Sequence, residues 1–431
     1  MPDHARSTSP AVQAQLDRLW ARSPGADILG LERITALLDR IGNPHLSLPP
    51  VFHVAGTNGK GSTCAFLRAA LEAAGHRVHV YSSPHLVRFN ERLRLAGKLI
   101  EDEALAPLLT EVLDAGEDIG ASFFEVTTAA AFLAFSRTPA EACVIEVGLG
   151  GRLDATNVIV DPAVCGIAQL GVDHEAFLGA DPIGIAREKA GIAKPGRPLV
   201  ISQYPGEITV AIKEVASSAN APVIDDWHYQ ANTQLEYSDS QGRLSTPLPR
   251  LAGAHQNANL ALAITMLRHQ DRVDIAETAI RAAPEHATWP ARMQRLGRGP
   301  LTAAHPGATI YLDGGHNPAA AEAIAAFLAA QNRPAHLILG MLASKDAHGL
   351  LAPIAAHARS LHAVPVPHHE CHSPADLAEA ARVLGIESAI AANPAEAIAA
   401  IGQLAPNPLI LILGSLYLAG EVLAANDELP T

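Results

Sequence analysis

Long uninterrupted apolar runs are missing from this 431-residue chain: none approaches the roughly 18 residues that a membrane-spanning helix needs. The stretch 1–10 is polar and lacks the apolar core of a secretory signal. Positive charge is scarce as well. With 31 Lys and Arg against 44 Asp and Glu, the formal net charge is −13, which argues against nonspecific nucleic-acid binding. Cysteine is limited to Cys64, Cys143, Cys165 and Cys371, with no paired spacing, so a disulfide framework is excluded. The first three sit in apolar segments or at a helix start and read as small core residues. Cys371 falls in HHECH at 368–372, a nearly contiguous run in a Pro-rich connection; such residues cannot all converge on one ion, which disfavours zinc. Charged residues make up only 17% against 48% hydrophobic, so a large core is expected and extended disorder is not. The expectation is a cytoplasmic, monomeric protein of about two domains, with small-molecule partners and neither nucleic acid nor membrane.

What is present is strand–helix alternation. Candidate strands fall at 50–56, 77–82, 143–148, 163–171 and 198–203, with helices at 64–74, 101–115, 126–136 and 183–190. Nearly all-apolar, β-branched strands separated by helices indicate a parallel sheet covered on both faces. A polar alternating stretch at 230–250, around 239–242, reads as an appended hairpin. A second series follows, with strands at 309–313, 336–341, 361–365 and 409–414 and helices at 318–330, 374–384 and 394–404. The predicted fold is therefore α/β: a parallel-sheet domain over 1–288, which the glycine-rich segment GTNGKGS at 56–62 marks as a P-loop-containing ATPase domain, then a smaller Rossmann-like α/β domain over 289–431. Ligands in such folds lie beyond the C-terminal strand ends, so an interdomain cleft is the expected active site.

The segment GTNGKGS at 56–62 joins a buried strand to a helix. Gly56, Gly59 and Gly61 let backbone N–H groups close around an anion, and the helix N-terminus adds its positive dipole end. Lys60 is placed to reach outer phosphates, and the Ser62 or Thr63 hydroxyl can bind Mg²⁺. Val54 stands where the usual P-loop has its first glycine, and Gly61 separates lysine from serine. The alternative is a glycine-rich turn without a ligand.

Polar clusters follow the apolar strands. Glu146 lies in an otherwise apolar run, where a lone carboxylate is costly unless a cation offsets it. A divalent ion would do so, with Ser83 and His174 as neighbours; pairing with Arg152 is the alternative. Lys189 by itself reads as a solvated helix lysine. In DGGHNP at 313–318, Asp313 suits a ribose hydroxyl and His316 the same crevice, or the segment is an Asx turn with a helix cap. Arg292 is placed to reach a phosphate. Residues 253–257 read as helix capping or as a polar edge for adenine.

Together the segments GTNGKGS at 56–62, SSPHLVRFNER at 82–92, FFE at 123–125, EVGLGGRLDATN at 146–157, DH at 173–174, EKAGI at 188–192, HQNAN at 255–259, LDGGHNP at 312–318 and GSLYLAGE at 414–421 resemble the folylpolyglutamate synthase/dihydrofolate synthase family, within the Mur-ligase-like amide ligases. The first motif marks only the wider group; the second to fourth are closer to the folate branch. The resemblance implies ATP held by Thr57, Asn58, Gly59 and Lys60, with Asn257, Arg292 and Asp313 as further nucleotide contacts. It implies a pair of Mg²⁺ ions, with K⁺ as an additional ion, near Ser62, Ser83, Glu146, His174 and a carbamylated Lys189. Dihydropteroate would lie along Ile28, Leu29, Gly30 and Leu31, along Ser122, Phe123 and Phe124, and along Leu153, Asp154 and Ala155. Departures from the family pattern are the absence of an acidic residue at the start of 28–31, Glu-Ala-Phe at 175–177, Ala-Arg-Met-Gln at 291–294, and Gly315 in place of alanine.

The implied reaction is ATP-dependent addition of L-glutamate to dihydropteroate, to reduced folates or to both, through an acyl phosphate. Mg²⁺, Lys60 and Arg292 serve as catalytic cations; the base for the amine is left unassigned, with His316 a candidate catalytic residue. The alternatives are another Mur-type amino-acid ligase and a nucleotide-binding protein without catalysis.

Overall fold

The structure, a computed structural model, describes residues 6–22, 29–173 and 175–431. The chain divides into two units, one comprising residues up to Arg250 with Gln256–Ala287, the other Leu251–His255 with Thr288–Thr431.

The first unit is built on strands β1 (Val51–Ala55), β2 (Val78–Tyr81), β3 (Leu93–Leu95), β4 (Lys98–Leu99), β5 (Ala142–Glu146), β6 (Val164–Ile167), β7 (Leu199–Ile201) and β8 (Val223–Ile224). Their order is β4-β3-β2-β5-β1-β6-β7-β8, parallel except for the β2-β3-β4 ribbon at one edge. All residues of β1, β2, β5 and β6 are buried, the pattern of a sheet covered on both faces. The chain leaves β1 toward β2 on one side, and β6 lies on the other, so the strand order reverses at β1. The C-terminal end of β1 is thus the topological switch point, where such sheets open a crevice.

The helix after β1 starts at Lys60, four residues earlier than its apolar pattern suggested, because Gly59 adopts a left-handed φ of 83° and turns the chain directly into it. Helix Phe123–Arg137 likewise begins ahead of its apolar stretch. A capping box accounts for this: Glu125 N–H donates to Ser122 Oγ (3.3 Å) and Ser122 N–H to Glu125 Oε2 (2.7 Å).

The expected hairpin is a three-stranded antiparallel sheet instead, of β9 (Trp227–Ala231), β10 (Leu235–Asp239) and β11 (Gly242–Thr246). Trp227, whose indole donates to the Ile201 carbonyl at 3.0 Å, starts the extra strand. Helices Pro10–Arg22 and Glu32–Arg40 carry buried stripes at Val12, Leu16, Leu19 and at Ile34, Leu37, Leu38 that add to one core cluster with helix Phe123–Arg137.

The second unit holds β12 (Gln294–Arg295), β13 (Thr309–Leu312), β14 (Ala335–Leu339), β15 (Ala358–Ala363), β16 (Glu387–Ile390) and β17 (Leu409–Leu413). Their order is β12-β13-β17-β14-β15-β16, parallel but for β12. The edge strands β12 and β16 were not apparent in the sequence, being a polar pair and a largely exposed quartet.

Candidate active site

In the first unit, the predicted residues gather at the C-terminal ends of β1, β5 and β6. Lys60 Nζ donates to the carbonyls of Gly56 (3.1 Å) and Thr57 (3.2 Å). Lys189 Nζ donates to the same Gly56 carbonyl at 3.1 Å. Gly56, Thr57, Lys60, Gly148, Gly150, Asp173 and Lys189 line a common small pocket. Lys189 is not the solvated helix lysine that its local sequence suggests; it is 4% exposed. Burial, reinforced by the Lys60 ammonium, pushes its amine down to about 7, so near neutral pH much of it is an uncharged nucleophile.

The phosphate-loop amides are not all available to an anion. Thr57 and Asn58 N–H both donate to the Gln169 carbonyl, at 2.8 and 3.1 Å. The Thr57 hydroxyl ties the loop again, donating to the Gly171 carbonyl at 2.8 Å. The first intrahelical bond runs from Thr63 N–H to the Gly59 carbonyl, so the amides of Lys60, Gly61 and Ser62 are the ones the helix cannot satisfy. The anion-facing part of the loop therefore starts at the helix, not at Thr57. A Cβ on Gly59 would collide with the Asn259 side chain and would be strained by its φ. Gly59→Ala is expected to raise the KM for ATP at least tenfold and to lower stability by about 1–2 kcal/mol, the left-handed penalty, in kinetic and urea-denaturation measurements.

Glu146 ends β5 at 5% exposure, with Ser83 N–H 3.4 Å from its Oε2. It does not use Arg152, which pairs with Glu188 instead (3.0 Å). In the first turn of the helix after β1, Thr63 Oγ1 is buried with no hydrogen-bond partner among the described residues, and Ser62 is 2% exposed. Buried hydroxyl and carboxylate oxygens are the donor types that suit a hard divalent cation. Among the described residues no three His, Cys, Asp or Glu converge on a metal position, and His174 lies outside the described residues.

Ser122 is the N-cap of its helix. Phe123 is buried, stacked on Trp20 with centroids 4.7 Å apart, and so belongs to the core. Phe124 lies instead against Gly148, where a Cβ would meet its ring. Leu31 packs with Phe124 on the core cluster that contains Phe123 and Ala155. Leu29 and Gly30 are half-buried just ahead of helix Glu32–Arg40; Ile28 lies outside the described residues. Leu153 N–H donates to Glu188 Oε1 at 3.3 Å. Asp154 is 3% exposed, and both its oxygens accept internal bonds, from Leu149 N–H (2.8 Å) and from the amide (3.0 Å) and hydroxyl (2.5 Å) of Thr156. Burial raises its pKa.

Sequence reasoning gave no role to Arg92, which is 2% exposed, donates to His85 Nδ1 at 2.9 Å and lies over the rings of Phe89 and Phe123. Burial holds the His85 imidazole neutral, with its pKa near 4. The signal was an arginine and a histidine within an otherwise foldable strand-loop segment. The Gln169 carbonyl carried no side-chain signal at all. Asn257 is half-buried in helix His255–Arg268, whose Asn259 lies against Gly59.

In the second unit, Asp313 anchors a turn. Its oxygens accept the amides of Met293 and Gly315, each at 2.7 Å, which binds the Ala291–Met293 segment to the end of β13. The Asx-turn reading of this segment is thus the observed geometry, and Asn317 caps the following helix through Ala320 N–H at 2.8 Å. Arg292 Nη1 donates to the Ala291 carbonyl at 2.9 Å. His316 Nδ1 donates to the Gly314 carbonyl at 2.8 Å, which puts its proton there and leaves Nε2 as the basic nitrogen. His255 shares this unit with Asp313 and Arg292, and its pKa is lowered, chiefly by burial. In the 368–372 run, His369 stacks on Tyr417 at 3.8 Å and His372 bonds the Lys345 carbonyl at 2.8 Å.

A larger cavity, about 540 Å³, opens at the opposite end of the first sheet, between His76, Pro139, Glu141 and Arg272. Its Glu141 is paired with Arg77 and its Arg272 with Asp161, and the predicted site residues lie at the smaller pocket.

Residues 291–416 match the family described as "Mur ligase, glutamate ligase domain". The dihydrofolate synthase/folylpolyglutamate synthase of Escherichia coli strain K12 is 37% identical over 331 residues, covering 75% of this chain and 74% of that protein. The chain belongs to the folylpolyglutamate synthase/dihydrofolate synthase family. Members of this family are ATP-dependent glutamate ligases, a class that forms an amide from a carboxylate and an amine. The structure of E. coli FolC in complex with DHPP and ADP superposes with a TM-score of 0.88 at 33% identity, covering 97% of this chain and 98% of that one. A bifunctional folylpolyglutamate synthase/dihydrofolate synthase with Mn, AMPPNP and L-glutamate bound gives 0.84 at 31%, covering 97% and 98%. No helix among the described residues is long and apolar enough to cross a membrane.

Proposed function

We propose that this folylpolyglutamate synthase/dihydrofolate synthase family member adds L-glutamate both to dihydropteroate and to reduced folates. The observation that carries the reading is the meeting of Lys60 and Lys189 on the Gly56 carbonyl past the end of β1, with buried Glu146 at the end of the adjoining β5. Two anions must react here, a carboxylate and a triphosphate, and the Lys60 ammonium fixed in a half-buried pocket reduces that repulsion, while a carbamylated Lys189 would hold a metal cation there. Relatives solved with ADP, with AMPPNP and Mn, and with L-glutamate support the same chemistry.

The acceptor's carboxylate oxygen attacks the γ-phosphorus of ATP. The bond from that phosphorus to the ADP oxygen breaks, leaving an acyl phosphate and ADP. The amine nitrogen of glutamate then attacks the acyl carbon, the carbon–oxygen bond to phosphate breaks, and the amine gives up a proton as the amide forms. The Lys60 ammonium and the amides of Lys60, Gly61 and Ser62 hold the phosphates, with Thr57, Asn58 and Gly59 shaping the loop. Ser62, Ser83, Glu146, His174 and a carbamylated Lys189 are assigned to a pair of Mg²⁺ ions, with K⁺ a further ion. Bound Mg²⁺ supplies charge neutralisation at the transferring phosphoryl oxygens.

Asn257, Arg292 and Asp313 are assigned to the nucleotide, and Nε2 of His316 to the amine proton, on the sequence match. For dihydropteroate, Phe124 offers a ring face, with Ser122, Leu153, Asp154, Ala155 and the segment Ile28 to Leu31 around it.

Phosphate release with Mg-ATP and L-glutamate tests this. Release is expected with dihydropteroate and with tetrahydrofolate, each giving a product heavier by one glutamate residue in mass spectrometry. Release with tetrahydrofolate alone would reduce the enzyme to a chain extender. Release with neither, from protein that binds ATP, would refute the proposal.

A further inference from the structure

We propose that His53 is a positioning residue for the acceptor, holding the 148–151 loop in place through Thr156 and Asp154. His53 sits in the middle of β1, three residues ahead of Gly56, and is 0% exposed. Its neighbours in the strand are Phe52 and Val54, so packing alone calls for an apolar side chain here. The imidazole makes a single side-chain bond: Nε2 lies 2.8 Å from Thr156 Oγ1, while Nδ1 is buried with no partner among the described residues. A buried ring with one orphaned nitrogen costs desolvation that a valine or leucine would not. Its use must therefore lie in the bond it keeps.

Counting protons gives that bond a direction. The Thr156 hydroxyl has one hydrogen, and at 2.5 Å from Asp154 Oδ1 it donates to the carboxylate. The hydrogen between Thr156 and His53 must then come from the imidazole. His53 is thus the Nε2–H tautomer, donating to Thr156, which donates to Asp154. Asp154 in turn accepts Leu149 N–H through its other oxygen at 2.8 Å. The relay runs from the central strand, through the short helix Ala155–Val158, into the loop after Glu146.

The next residue, Asn157, secures the other side of this segment. Its Nδ2 donates to the carbonyls of Arg152 (2.9 Å) and Gly191 (3.1 Å). The 148–151 loop is thereby held from both ends. Gly148 lies under the Phe124 ring, so a displaced loop alters the surface offered to a pterin. This consequence rests on the proposed dihydropteroate site. The phosphate loop is anchored separately, by Gln169 and Gly171. The relay should therefore act on acceptor binding more than on nucleotide binding.

The test compares His53→Leu, which keeps bulk and loses the donor, with His53→Gln, whose amide nitrogen can take the place of Nε2. Thr156→Val and Thr156→Ser repeat the comparison one link further on and serve if His53→Leu does not fold. Hydrogen exchange at the Leu149 amide is expected to speed up about tenfold in the donor-less variants and to return toward wild type in His53→Gln and Thr156→Ser. The KM for dihydropteroate should rise about tenfold in the same variants, with kcat and the KM for ATP within twofold. Unchanged exchange at Leu149, or a KM for ATP that rises as much as that for dihydropteroate, would overturn the proposal. If wild type does not turn over dihydropteroate, the reading of the acceptor fails on its own. The exchange comparison then still decides: a Leu149 amide that ignores His53→Leu sinks the relay, and one that responds and is rescued by glutamine sustains it.

Discussion

Lys60→Ala is expected to lower turnover by about 10²–10³-fold with either acceptor, the scale on which loss of one preorganised electrostatic contact acts. The mechanism demands charge at this position, since the attacking carboxylate and the phosphate it approaches are both anionic. In the structure the ammonium is held by the Gly56 and Thr57 carbonyls, at 3.1 and 3.2 Å. It can leave them for a phosphate without moving the backbone, because Lys60 is already the first residue of its helix. Two half-buried hydrogen bonds are lost in the variant, at a cost of about 0.5–1.5 kcal/mol each. The fold should survive, since the β1 strand and the core beneath it do not involve this side chain. Steady-state phosphate release together with a thermal melt checks both halves. Turnover like that of wild type would remove Lys60 from the phosphate site, and a melt collapsing by tens of degrees would make its role structural.

The architecture was legible where strands were long and apolar. The all-buried runs of β1, β5 and β17 signal a parallel sheet, and each stands in the sequence as a mostly apolar segment, broken only by His53 in β1 and Glu146 at the end of β5. Failures concentrated where local chemistry rather than apolar pattern decides the start of an element. Gly59 and the Ser122–Glu125 capping box both begin helices ahead of their apolar stretch. Ser-Phe-Phe-Glu is a readable capping signal, but its residues also resemble a substrate segment, and the functional reading displaced the structural one. Of the aromatic pair, one ring went to the core and the other to the loop, a distinction that adjacent residues on a helix cannot reveal without knowing where the helix begins.

Within the site, side chains were more legible than backbone. Lys60, Glu146 and Lys189 were named as candidates from their residue type and setting or from resemblance, and the structure puts both lysine ammoniums on the Gly56 carbonyl past the end of β1, with Glu146 at the end of the adjoining β5. The Gln169 carbonyl, which occupies the Thr57 and Asn58 amides, is invisible to any argument from side chains. Asp313 shows the converse. Its position after a strand suggested a ligand contact, and its two oxygens also hold backbone amides that shape the turn. A buried carboxylate beyond a strand end can build the loop as well as bind what the loop holds.

Lys189→Met is expected to lower turnover by about 10²-fold and to abolish its dependence on bicarbonate. Carbamylation requires a neutral amine: the nitrogen lone pair attacks the carbon of CO₂, a nitrogen–carbon bond forms, and a proton is released as the carboxylate appears. An ordinary lysine is almost wholly protonated at neutral pH and resists this. Lys189 differs because burial, and then the Lys60 ammonium, bring it down to about 7. About a tenth of it is neutral at pH 6 and about nine-tenths at pH 8, so labelling from ¹³C-bicarbonate should grow across that interval. The same shift has a signature in stability. Between about pH 7 and 10.5 the unfolded chain keeps a proton on this lysine that the folded chain has given up. The unfolding free energy of unmodified protein therefore gains a term that rises with pH through this window, and Lys189→Met should remove it. The modification would convert a basic amine into an anion, exchanging repulsion of a metal for attraction. Lys189→Glu should accordingly recover part of the turnover that methionine loses. A ¹³C spectrum without a carbamate resonance, or methionine and wild type with equal turnover, would end this assignment while leaving Lys60 and the phosphate loop as they stand.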